Sequence, residues 1–249
     1  TPRNVDHALT LGGNQTYFGM VSGPPNVHDR IDGRRVGNFA DYKKLLSLGQ
    51  HFNVIALFGN QTVATTDLPA TTRHLDCYLA NLNLTDKVFS AIPIGAGRVN
   101  DAAQMLALAR GVSLEEMRAR PGLIGNINVN SPRKLDEAMS DGALALAELG
   151  QAVIVTPFTL LGAMTPVTMA AGLVQQNAEA LFGIAMIQLF YPGNPVVYGG
   201  FTSNVDMRSG APAFGTPENA KANLAGGQLA RRYCLPYRTS ACNASKVVD

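Results

Sequence analysis

Charge is scarce in this sequence. Of 249 residues only 15% are Asp, Glu, Lys or Arg, against about 25% in an average globular domain. The 20 basic and 18 acidic side chains nearly cancel, leaving a net charge of +2. The adjacent basic pairs Arg34-Arg35, Lys43-Lys44 and Arg231-Arg232 stand far apart in ordinary polar context. A nucleic-acid surface needs clustered Lys and Arg, so no polynucleotide partner is implied. Cysteine is nearly absent as well: Cys77, Cys234 and Cys242 are an odd number without C-x-x-C spacing. That argues against a disulfide framework and for a reducing, cytoplasmic compartment. The first residues, Thr1 to Asp6, lack the apolar run of a secretory signal. Of the four histidines, His7, His28, His51 and His74, none pairs with Cys or carboxylate at a recognised ligand spacing. No protein-bound metal is expected. Neither G-x-x-x-x-G-K-[ST] nor G-x-S-x-G occurs, so P-loop and hydrolase-elbow chemistry lack support.

Apolar residues are plentiful, at 46%, enough for a sizeable core and too many for a disordered chain. No linker-like tract divides the sequence, which reads as one domain over residues 1–249. From Leu149 to Val205 the only charged residue is Glu179. Pro157, Pro166, Pro192 and Pro195 interrupt that stretch, and Gln175, Gln176, Asn177 and Gln188 sit in its central helix. Those polar groups would be costly in lipid, so it reads as the buried heart of a soluble protein.

Strand-length apolar runs alternate with longer segments of helical period. The expected strands are Thr16–Val21, Asn53–Phe58, Val88–Ile94, Leu123–Val129, Ala152–Thr156, Pro195–Gly200 and Pro236–Ser240. The expected helices are Phe39–Gln50, Leu68–Leu82, Asp101–Ala109, Pro132–Leu149, Pro166–Phe190 and Pro217–Tyr233. Ser131-Pro132, Thr165-Pro166 and Thr216-Pro217 each set a capping hydroxyl before a proline suited to the first helical turn. Repeated β-then-α units predict an α/β fold with a parallel sheet, open or closed. The polar and glycine-rich clusters fall after the strands, where a TIM (β/α)8-type barrel builds its site. Seven strands and six helices fall short of eight each, so the barrel is incomplete in this chain or some elements escape recognition.

Gly95-Ala96-Gly97-Arg98-Val99-Asn100 lies between a strand and a helix but lacks the third glycine of a dinucleotide fingerprint. It fits a tight connecting loop as well. Asn126, Asn128 and Asn130 share one face of their strand, either as a polar barrel layer or as hydrogen-bonding groups for a substrate. Glu179 is either a paired or functional carboxylate or an exposed residue of an outer helix face. The segment Tyr198 to Gly215 is a long loop with glycines, hydroxyls, Asp206, Arg208 and three aromatics. Aromatic faces beside a carboxylate suit a quaternary ammonium.

Longer motifs carry a resemblance. They are Ile127-Asn128-Val129-Asn130-Ser131-Pro132, Thr156-Pro157-Phe158 with Gly162-Ala163-Met164, and Gln176-Asn177-Ala178-Glu179. Val197-Tyr198-Gly199-Gly200, Ser203-Asn204-Val205-Asp206-Met207 and Ser209-Gly210-Ala211-Pro212 follow, with Leu235-Pro236-Tyr237-Arg238 near the end. From about Asp32 onward the chain resembles the trimethylamine methyltransferase family. Cys234, where that family usually has glycine, and Cys242 depart from the pattern.

The resemblance implies a TIM-barrel enzyme that moves a methyl group from an amine to the cobalt of a partner corrinoid protein. Members are about twice as long as this chain. One branch uses pyrrolysine, and no non-standard residue stands here; the other demethylates quaternary amines such as glycine betaine. A methyl on quaternary nitrogen already has a neutral amine as its leaving group, so positioning against Co(I) is the main requirement. No D-x-H-x-x-G corrinoid signature occurs, so the cobalamin is expected on the partner rather than tightly bound here. Position after strands makes Asp206 a candidate catalytic carboxylate and Asn128, Asn204 and Arg238 polar substrate contacts, while Glu179, the lone charge of its stretch, is the second candidate catalytic carboxylate. Tyr198, Phe201 and Phe158 are candidates for an ammonium cage. The alternatives are an S-adenosylmethionine methyltransferase using Gly95-Ala96-Gly97, or a non-catalytic barrel that binds a betaine. Homo-oligomerisation stays open.

Overall fold

Leu123, Ile127 and Val129 are sealed on one side of their strand, while Asn126 and Asn128 on the other remain partly or fully open. This alternation builds the whole molecule. A computed structural model describes residues 2–240, and Cys242 lies outside them. The elements in order are β1 (Phe18–Gly19), β2 (Asn26–Asp29), β3 (Gly33–Val36), α1 (Phe39–His51), β4 (Ile55–Phe58) and α2 (Arg73–Leu84). There follow β5 (Val88–Ala91), α3 (Ala96–Arg110), α4 (Leu114–Ala119), β6 (Leu123–Val129), α5 (Glu137–Glu148) and β7 (Ala152–Leu161). The last are α6 (Met169–Phe190), β8 (Val196–Gly199), β9 (Phe201–Asn204), α7 (Pro217–Arg232) and β10 (Tyr237–Arg238).

The main sheet runs β1-β4-β5-β6-β7-β8-β10, every pair parallel. It is a curled, open sheet, a partial TIM-type barrel whose edge strands are β1 and β10. Helices cover one face. There Phe58, Phe89, Leu123, Ile127, Val153, Val155 and Tyr198 merge with helix residues such as Leu46, Tyr78, Leu106, Leu146 and Ile187 into one core. The concave face carries a smaller apolar layer, Val88, Ile124, Ala152, Ile154 and Val197, with Leu57 and Leu9 packed against it.

The segment before β1 crosses beneath this layer. Asn4 Nδ2 donates to Asp86 just ahead of β5 at 3.0 Å, and Gly12 lies close to Pro236 just ahead of β10. Asp86 also accepts from Gln50 Nε2 at 2.8 Å, and a ring nitrogen of His7 lies 2.8 Å from it. Burial pushes the Asp86 carboxyl up, but the hydrogen bonds from Asn4 and Gln50 outweigh it and leave it below 3.8. Beside it Lys87 Nζ donates to the carbonyls of Gly49, Gln50 and Phe52, satisfying the end of α1.

Several connections differ from expectation, the short helix α4 between α3 and β6 among them. Between β1 and α1 stands an antiparallel hairpin, β2–β3, tied to α1 by Arg35, which donates to both Asp41 oxygens and to Asp29. α5 begins at Glu137 behind the N-cap Asp136, and α6 at Met169 behind Thr168, so neither Ser131-Pro132 nor Thr165-Pro166 starts a helix. Their hydroxyls are engaged elsewhere: Ser131 donates to Glu179, and Thr165 to the carbonyls of Leu160 and Pro166. Only Thr216-Pro217 caps as expected, accepting from Asn219 N. Finally β7 runs on through Pro157 to Leu161, and its far half pairs with β9. The partners of β7 keep one register, Val155 with Tyr198 and Phe158 with Phe201, so β8 and β9 are one strand path interrupted at Gly200. The ribbon extends beyond the level at which β10 ends, because β10 reaches only Gly199.

Candidate functional site

Walking along the concave face toward the C-terminal ends of the strands, the apolar layer gives way to polar groups and then to aromatic rings. Asn128 on β6 is level with Thr156 on β7, and Gly199 on β8 is level with Arg238 on β10. Asn126 accepts from Thr156 Oγ1 at 2.6 Å and donates to Asn128 Oδ1 at 3.3 Å. Gly199 has no room for a side chain: a Cβ there would lie 2.2 Å from Thr156 Oγ1. One step further are Phe158 and Phe201, with centroids 5.3 Å apart, and Phe214 returns from the following loop to 4.7 Å from Phe201. Phe158 and Phe214 meet edge to face at 6.3 Å. The rings touch one another and so form a wall with outward faces, not an enclosing cage.

The Arg238 guanidinium lies 5.7 Å from the centre of the Phe201 ring. Burial pulls its pKa below the usual arginine range, and among the described residues no carboxylate pairs with it. This is where a parallel α/β sheet offers a crevice for ligands, at the carboxyl ends of its strands.

Of the expected residues, Asn128, Phe158, Phe201 and Arg238 come together here. Tyr198 does not. It points to the helix side, fully buried against Tyr233 and Tyr237, its hydroxyl donating to Asn177 at 3.1 Å. Burial pushes that hydroxyl up to about 12. The reason is strand parity: Val197 and Gly199 take the concave side, leaving Tyr198 the other. Asn204 accepts from Thr216 Oγ1 at 2.6 Å and so anchors the start of α7. Glu179 is buried, not on an exposed helix face. It accepts from Ser131 Oγ at 2.5 Å, Arg133 N at 2.7 Å and Gln175 Nε2 at 2.9 Å, pinning the connection after β6. Asp206 is exposed beyond β9 and folds its own loop, accepting from Arg208 N at 3.0 Å and Ser209 Oγ at 2.6 Å.

Thr156 and Phe214 join the site without having been singled out. Thr156 lies two residues beyond Ile154 on the same strand, so parity marks it, and Phe214 is the third aromatic of the Tyr198–Gly215 loop. Gly95 serves as the N-cap of α3, with its N–H given to Ala138 O at 2.8 Å. Among the described residues no group of three or more His, Cys, Asp or Glu converges, and no helix is long and apolar enough to cross a membrane.

The family model described as trimethylamine methyltransferase (MTTB) matches residues 1–249. A glycine betaine methyltransferase of Desulfitobacterium hafniense (strain Y51) is 34% identical over 99% of this chain and 52% of its own length. A proline betaine:corrinoid methyltransferase of Eubacterium limosum is 31% identical over 87% of the chain and 46% of its own. A trimethylamine methyltransferase of Methanosarcina thermophila is 35% identical over 54% and 28%. The chain thus spans about half the length of the first two of these relatives or less.

Proposed function

The chain belongs to the trimethylamine methyltransferase family, and from that premise we propose that it acts in moving a methyl group from a betaine-class quaternary amine to a corrinoid cobalt on a partner protein. The observation that carries this reading is the aromatic wall of Phe158, Phe201 and Phe214 directly above the polar row Asn128, Thr156 and Arg238. Ring faces attract a quaternary ammonium without needing a hydrogen-bond donor from it. The names of the glycine betaine and proline betaine:corrinoid relatives support the same substrate class.

In the proposed transfer the C–N bond breaks with its electron pair going to nitrogen, and Co(I) supplies the pair for the new Co–C bond. The leaving group is a neutral tertiary amine, so no proton has to move. That agrees with a face whose candidate carboxylates are committed elsewhere, Glu179 behind the sheet and Asp206 in its own loop. The task of the chain is then to hold the ammonium so that one methyl points out of the open rim toward the acceptor. A cytoplasmic setting suits this chemistry.

The test mixes the protein with photoreduced Co(I) cobalamin and glycine betaine and follows methyl-Co(III) formation in the visible spectrum. Methylation above a protein-free control supports the reading. A trace that stays at the control level with glycine betaine, proline betaine and choline overturns it.

A further inference from the structure

Arg238 is the one charge on the concave face that the architecture brings to the level of Asn128 and Thr156 and leaves without a counter-charge among the described residues. Its guanidinium donors have no protein acceptor there either, and its place over Phe201 fixes the group without neutralising it. The residue is half-buried, and a partly buried guanidinium without a counter-charge is readily completed by an anion through charge-assisted hydrogen bonds. Gly199 on the adjacent strand leaves the floor beside it bare, since any side chain there would strike Thr156. Resting on the betaine reading above, we infer that Arg238 reads the substrate carboxylate and makes the site selective for quaternary amines that carry one.

The selectivity has an attractive and a repulsive half. A planar guanidinium matches a carboxylate through two parallel N–H···O bonds. In a betaine that carboxylate sits beside the ammonium, so the ligand brings Arg238 an anion together with the cation destined for the ring wall. A quaternary amine lacking the carboxylate brings only a second positive charge close to Arg238, in a site of reduced dielectric. The ring that already faces Arg238 is Phe201, which leaves Phe158 and Phe214 to face the ammonium.

The experiment compares the protein with Arg238→Gln and Arg238→Lys, using glycine betaine and choline, in the cobalt assay and in calorimetric titration without cobalamin. Glutamine should weaken glycine betaine, in KM and in the titrated Kd, by about thirtyfold. Choline should be unchanged or improved, and lysine, which keeps charge but not the fork, should fall between. Equal losses for both ligands in a variant of unchanged melting temperature would overturn the carboxylate reader while leaving methyl transfer standing. No turnover by the unmodified protein, but titrated betaine binding that Arg238→Gln abolishes, would overturn methyl transfer and keep the reader. A Gln variant that binds betaine normally overturns the inference outright, whatever the turnover.

Discussion

On the helix side of the sheet Phe89, Leu123, Ile127, Val155 and Tyr198 are closed into one continuous core. On the concave side their immediate neighbours pass from apolar Ile154 and Val197, through Thr156 and Gly199, to Phe158 and Phe201. The same strands thus serve two purposes, separated only by the two-residue repeat of the pleat. One face is sealed along its length. The other is sealed at the bottom and left open at the top, with a charge and three rings at the opening. Burial alone therefore does not mark function here; a change of residue character along one face does.

The contrast between Tyr198 and Phe201 should give the largest effect. Tyr198→Ala empties a fully buried site and should cost about 3–5 kcal/mol of stability in urea melts. Phe201→Ala, on the half-buried rim, should cost less than about 2 kcal/mol yet lower methyl transfer about tenfold, because it removes the ring that holds Arg238 and backs Phe158 and Phe214. If Phe201→Ala proved the more destabilising of the two, the assignment of faces would be wrong. Next in size is Glu179→Gln. It leaves one acceptor oxygen for three donors, those of Ser131, Arg133 and Gln175, and should cost about 1–3 kcal/mol by the same melts.

The smallest effect concerns pH. Asp86 titrates lower in the folded chain than the ordinary 3.8. Its stabilisation is therefore present above that value and is lost as pH falls through the lower folded pKa. Asn4→Ala removes one of the hydrogen bonds that hold the carboxyl down. The variant should be less stable than the parent at pH 7 and should converge on it as pH falls through the lowered folded pKa and the carboxyl becomes protonated in both. Parallel stability curves across that range would deny Asp86 the part given to it.

Much of this was legible in the sequence. All seven expected strands occur in order, because alternating βα units with strands apolar on both faces leave little choice of sheet. What escaped has particular causes. Pro157 hid the far half of β7, since proline within a strand normally argues against one, and with it β9, whose Phe201-Thr202-Ser203-Asn204 reads as loop after two glycines. Serine or threonine before proline misplaced two helix starts because the hydroxyls had other acceptors within reach. In the site, Asn128, Phe158, Phe201 and Arg238 follow from lying at or just past strand ends. Parity from Val197 puts Tyr198 and Asn204 on the other side of the strand, and Glu179 takes the paired alternative, since a pattern alone does not say which loop a helix residue meets.

The segment ahead of β1 closes the bottom of the half-barrel, with Leu9 against the apolar layer and Asp86 as its clasp. Trimming it, by protease or by choice of cloning boundary, would bare Val88, Ile124, Ala152, Ile154 and Val197 together. A contiguous apolar patch of that kind favours self-association. The stretch from Asn4 to Gly12 thus works as a stopper, and a preparation that loses it should clump before it loses its fold.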